Sequence, residues 1–121
     1  MASYKVSIYP HKVAAIKFGG AVDTALIRKA AAECTTRECY AIAIDLSDIA
    51  HLSNSTVPPL IEFKQQLENK GGRLVFVDIS YSVRIMFEMV GLLELVTIYD
   101  DLNTALQDLV DGWTNTKRIS L

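Results

Sequence analysis

Between Tyr40 and Leu60 the chain reads YAIAIDLSDIAHLSNSTVPPL, and this stretch constrains the fold more than any other. Ala41 to Ile44 is a short apolar run without polar alternation, the pattern of a strand buried on both faces, and Asp45 marks the carboxyl end where that strand reaches the surface. A loop of small hydroxyl and amide residues follows, Ser53-Asn54-Ser55-Thr56, and Pro58-Pro59 then opens a helical pattern carried by Leu60, Phe63 and Leu67. In open α/β sheets, ligands and partners meet the chain at the carboxyl ends of strands, and helix N-termini offer free N–H groups to anions, a phosphorylated side chain included. The candidate site therefore lies in this strand, its loop and the helix start.

The rest of the chain fits around that strand. Tyr4 to Tyr9 and Val13 to Phe18 read as two strands joined by the turn Pro10-His11, so the chain opens with a β-hairpin that Gly19-Gly20 ends. From Val22 the period becomes helical, with Val22, Ala25, Leu26 and Ala30 as the apolar stripe and Asp23 or Thr24 placed to cap the first turn. The second helix stops at Lys70-Gly71-Gly72, Arg73 to Asp78 is another buried strand, Tyr81 to Val90 a third helix and Leu95 to Tyr99 a short last strand. Asp101 caps a fourth helix running to Val110, which Gly112 ends. Proline at 58 disfavours the α region at Val57 and predicts a delayed start for the second helix. The order implies an α/β fold, a mixed four- or five-stranded sheet with about four helices, built as a small sandwich. Residues 1–113 form one domain, and 114–121 a polar C-terminal tail.

Half the residues are apolar, enough for a single core without metal or disulfide help. The net charge of −2 is spread along the chain, which argues against nucleic acid and anionic membranes as partners. No apolar run approaches the roughly 20 residues that span a bilayer, and MASYKVSIYPHK lacks the pattern of a signal peptide, so a cytoplasmic protein without membrane insertion is expected. Cys34 and Cys39 match neither a redox pair nor half a zinc site, and read as packing residues; no metal or cofactor is expected. Asp45 and Asp48 pair two carboxylates without a nearby histidine or third ligand, a poor set for acid/base or metal work.

Two further features have two readings each. The hydroxyls of Ser55 and Thr56 can simply cap the following helix, or one of them can be modified. In the third helix, Val83, Met86, Phe87 and Val90 make one apolar stripe, sufficient for the core, while Ile85, Met89 and Leu92 make a second. That second strip is expected to be an association surface, most simply of a homodimer, with deeper burial as the alternative.

Three segments resemble the STAS domains, the family named for sulfate transporters and anti-sigma factor antagonists. Gly20-Ala21-Val22-Asp23 is similar to the family's Gly-x-Leu-Asp before the first helix, and Ile44-Asp45-Leu46-Ser47-Asp48-Ile49 to its Asp-Leu-Ser-x-Val after the central strand. Lys70 to Val77, with Val83-Arg84 and Val90-Gly91-Leu92, resembles its Gly-Gly-Arg-Leu strand and the helix ending in Gly-Leu. In that family the loop after Asp-Leu-Ser reads Asp-Ser-Ser-Gly, and its second serine is phosphorylated by a partner kinase that is also the anti-sigma factor. The unphosphorylated antagonist binds that kinase and the phosphorylated form lets go.

Aligned without a gap, Ser53 replaces the family aspartate, Asn54 the first serine, Ser55 keeps the acceptor position, Thr56 replaces glycine and Pro58 a second glycine. A one-residue shift would make Thr56 the acceptor but throws Leu60 out of register. Threonine loses the positive φ and close backbone approach that glycine permits. The resemblance thus implies a non-enzymatic regulatory protein that binds an anti-sigma factor or serine kinase through Asp23, Ser53, Asn54, Ser55, Thr56 and Leu60, switched at Ser55. A scaffold with a silent loop, in a stress-signalling or lipid-transport complex, is the other reading. At His51 the family has an apolar residue, so a buried or half-buried imidazole is expected.

Overall fold

The computed structural model describes residues 2–119, with side chains up to residue 112. Five strands and four helices alternate: β1 (Ser3–Tyr9), β2 (Val13–Gly19), α1 (Thr24–Thr36), β3 (Ala41–Asp48), α2 (Val57–Asn69), β4 (Arg73–Val77), α3 (Tyr81–Met89), β5 (Thr97–Tyr99) and α4 (Leu102–Ile119). They form one sheet in the order β1-β2-β3-β4-β5. The β1–β2 hairpin is antiparallel and the other pairings are parallel, as crossover helices require.

The central position of β3 explains its composition. Ile42 and Ile44 join the larger core, which α1, α2 and α3 cover with Ile27, Leu60, Phe63, Val83 and Phe87. Ala43 faces the other way, with Val13, Val75 and Val77, against Ala105 and Leu109 of α4. Both faces are therefore dry, and the run shows no alternation. The domain has three layers rather than two, because α4 crosses to the face that the first three helices leave open.

Four details depart from the sequence reading. Of the stripe expected for α1, Val22 and Ala30 are buried and Leu26 packs against the core, but Ala25 is exposed, and Ile27, Ala31 and Cys34 complete the buried face. Val57 takes α geometry (φ −64°, ψ −51°) and is the first residue of α2, so Pro58 does not delay the helix. The turn Asn54–Thr56 delivers the chain already coiled, and prolines fit a first helical turn, whose N–H groups need no helical partner. The backbone of α4 runs through Gly112, which therefore does not stop it. A glycine inside a helix costs only about 1 kcal/mol relative to alanine, which continued packing can offset.

The fourth departure takes Leu92 out of the expected association strip. Met89 is 80% exposed and Ile85 partly buried, but Leu92 is 2% exposed and belongs to the core. α3 ends before Leu92. Gly91 takes φ 78°, the Leu92 N–H donates to the Phe87 carbonyl at 2.8 Å and the Gly91 N–H to that of Glu88 at 3.2 Å. This glycine-terminated helix end turns Leu92 back beneath the helix beside Phe87. Helical periodicity does not extend across such a reversal.

Candidate functional site

The loop after β3 is held from both sides by hydroxyl groups. Asp45, 8% exposed, turns its carboxylate back to accept from the Ser47 N–H at 2.9 Å, and Asp48 sits 3.5 Å from Lys17 of β2. Neither carboxylate is poised for acid/base work, and no group of three or more metal-ligating side chains occurs among the described residues. On one side Ser80 donates to the Ala50 carbonyl at 2.9 Å and also accepts from Val83 N–H as the cap of α3. His51 is exposed rather than buried, with Nδ1 2.9 Å from the Ser82 hydroxyl, so its imidazole ties the loop to α3. On the other side the Thr24 hydroxyl donates to the Ser55 carbonyl at 3.1 Å. Asp23, next to it, caps α1 by accepting from Leu26 N–H at 2.8 Å.

Inside the loop the two hydroxyls at 55 and 56 have different fates. Thr56 is fully buried and donates to the Ser53 carbonyl at 2.7 Å; its N–H also donates there, at 3.1 Å. Ser55 is exposed, and its Oγ lies 2.7 Å from Ser53 Oγ. Neither side chain caps α2, so simple capping does not account for them. Of the candidate set, Asp23, Ser53, Asn54 and Ser55 are exposed and gathered at the adjoining starts of α1 and the 54–56 turn. Leu60 is 3% exposed and packs in the core. Its side chain and that of Thr56 are therefore not offered to a partner, because both fill the space beneath the loop. Ser80 and Ser82 escaped the sequence reading, although Ser80, a hydroxyl just ahead of the helical run at Tyr81, carries a readable capping signal; Thr24 reads as a possible cap of α1, but the cap is Asp23 and the Thr24 hydroxyl goes to the loop instead.

The start of α2 is a poor anion cradle. Pro58 and Pro59 lack N–H groups, and the N–H of Val57 is already bonded to the Asn54 carbonyl. A negative group on Ser55 would thus find few local donors and would face outward.

The STAS domain model matches residues 12–105, which contain every element from β2 through the start of α4. The chain belongs to the STAS domain family. An anti-sigma F factor antagonist of Paenibacillus polymyxa is 26% identical over 73 residues, which span 60% of this chain and 62% of that protein. Among solved structures, an anti-sigma factor antagonist of Mycobacterium paratuberculosis superposes with a TM-score of 0.77 at 21% identity, covering 90% of this chain and 94% of that one. The anti-sigma factor antagonist SpoIIAA in its unphosphorylated form gives 0.75 at 19% identity, covering 91% and 97%. These likenesses establish the STAS fold, with its strand-first mixed sheet. No helix among the described residues is long and apolar enough to cross a membrane.

Proposed function

We propose that this STAS protein is a regulatory binding protein of the anti-sigma factor antagonist kind, which docks an anti-sigma factor or serine kinase on the surface formed by Asp23 and Ser53 to Ser55. The observation that carries this reading is the contrast at the loop: Ser55 presents an exposed hydroxyl where Thr56 is buried and bonded inward. Phosphorylation at Ser55 adds nearly two negative charges and breaks the 2.7 Å contact with Ser53 as it stands. With few N–H donors at the start of α2, that charge stays on the partner-facing side, and the complex weakens. Partner exchange, rather than chemistry on a substrate, is the output. The protein acts in the cytoplasm, where such a kinase and ATP are found.

A second reading is supported by the loop's own bonds. Thr56 in place of glycine adds a hydroxyl bond to the Ser53 carbonyl beside the backbone one, and the hydroxyl pair Ser53–Ser55 closes the turn further. A loop tied in this way suits a constitutive scaffold that holds one partner without release. Incubation with a candidate anti-sigma kinase and ATP, followed by phosphosite mapping by mass spectrometry, separates the two. Phosphate on Ser55 supports the switch; an unmodified chain that still binds the kinase leaves the scaffold.

A further inference from the structure

At the end of the sheet away from Ser55, the starts of β3 and β4, the hairpin tip, the ends of α1 and α2 and the side of α4 enclose an open groove of about 620 Å³. This lies within the usual size of small-molecule pockets. His11, Lys12, Glu38, Lys70, Arg73 and Asp108 supply its polar lining, and Tyr40, Ala41 and Leu109 its apolar wall.

The charges there are loosely spent. Three cations face two carboxylates in a chain whose net charge is −2. Lys12 stands 3.7 Å from Glu38, with both side chains mostly exposed, a pairing of little energetic weight. Arg73 reaches only Thr97 Oγ1 at 3.4 Å and the Tyr99 hydroxyl at 3.5 Å, both long for hydrogen bonds. Asp108 and Arg73 both act on that same Tyr99 hydroxyl, whose pKa is raised by burial first and then by Asp108, and among the described residues Asp108 makes no ion pair. The Lys70 ammonium has no ion pair among the described residues. Lys70 follows the last turn of α2 and complements its dipole, but Lys12 on the hairpin tip and Arg73 in a strand have no such duty.

The backbone of the groove is unusual as well. His11, Lys12 and Glu38 have φ of 66°, 61° and 58°, and all three line it; the fourth such non-glycine residue among those described, Asp78, does not. Left-handed backbone costs about 1–2 kcal/mol at each residue with a Cβ, and such positions cluster where a ligand is clamped. Gly71 leaves open space beside Lys70, since a Cβ there would meet nothing within 4 Å, whereas Gly72 is a packing glycine, where a Cβ would strike the Tyr40 carbonyl oxygen.

We propose that this groove binds a small organic phosphate, its phosphate held by Lys70 and Arg73 beside the open space at Gly71 and its ring or apolar body resting on Tyr40 and Leu109. A bidentate guanidinium beside an ammonium suits a phosphate, and the apolar wall suits an ester in preference to the free ion. The inference does not involve the Ser53 to Ser55 loop. Its test is a titration of the full chain with AMP, phenyl phosphate and inorganic phosphate, followed by amide chemical shifts. The esters should give saturating shifts at Glu38 and at Lys70 to Arg73, leaving Ser53 to Ser55 unmoved. The double substitution Lys70→Glu, Arg73→Glu should raise the midpoint by at least about tenfold, with circular dichroism confirming the fold. Failure of both esters to shift those amides overturns the proposal, as do shifts centred on Ser55 or a midpoint unchanged in the double variant. Equal midpoints for inorganic phosphate and the esters overturn the ester-binding part.

Discussion

The Thr24 hydroxyl donates to the Ser55 carbonyl at 3.1 Å, and through this one bond the first turn of α1 carries the loop that follows β3. Asp23 caps the same turn, so the two segments that resemblance assigns to partner contact, far apart in sequence, are one surface.

Thr24→Val keeps the shape at that junction and removes the donor. The expected loss of stability is about 0.5–1.5 kcal/mol in urea unfolding, with faster amide exchange confined to residues 53–56. Asp23→Ala, by contrast, should cost about 1 kcal/mol through the lost cap and raise exchange at the start of α1. Equal exchange in wild type and Thr24→Val would show that the bond does not hold the loop.

Leu92 and Met89 lie three positions apart and should respond oppositely. Leu92→Ala empties a core site and is expected to cost about 2–5 kcal/mol. Met89→Lys, at an 80% exposed position, should stay within about 0.5 kcal/mol of wild type. Urea midpoints decide, and a mild Leu92→Ala would place that side chain outside the core.

The main features of the fold were legible because buried runs such as Ala41 to Ile44 carry their own signature and Gly71 and Gly91 mark helix ends. What was not legible depends on contacts beyond sequence neighbours. Leu92 reads as helical by spacing, yet the reversal at Gly91 sends it inward. Gly112 reads as a stop, yet α4 continues past it. In α1, Ala25 fits the helical spacing yet is exposed, because a small alanine at the edge of a stripe gives up little by facing water, and the larger Ile27 takes the core position. In the candidate site, Ser55 is singled out by alignment of motifs. The burial of Thr56 and the bonds by which Thr24, Ser80 and Ser82 hold the loop across about 30 residues of chain are tertiary facts that no local pattern carries.

Cys34 is fully buried, and its thiol is pushed up to about 12, by burial first and then by the neighbouring Cys39 and Glu33. Almost no thiolate is present at neutral pH, so the native protein should resist iodoacetamide at pH 8 and react at Cys34 only as fast as it unfolds. Mass spectrometry of timed samples, with and without urea, reads this. Rapid labelling of the native chain would contradict the burial.

Asp101 caps α4, accepting from the Thr104 N–H at 2.9 Å and the Thr104 hydroxyl at 3.0 Å, and these bonds hold its carboxyl below the ordinary value of 3.8. A depressed carboxyl contributes stability that is present above the unfolded value and lost as pH falls through the folded one. Urea unfolding between neutral pH and pH values under 3.8 should therefore show an acid-side loss that Asp101→Asn reduces. A carboxyl titrating at 3.8 or above by NMR would contradict the cap.

The most direct test of the central claim is the calorimetric affinity of the full chain for the proposed anti-sigma factor or kinase partner, compared among wild type, Ser55→Ala and Ser55→Asp. The alanine variant should bind like wild type. The aspartate adds an outward charge that the start of α2 cannot neutralise, and should weaken the complex by about 1–3 kcal/mol. Equal affinities for all three proteins would contradict a partner surface centred on Ser55.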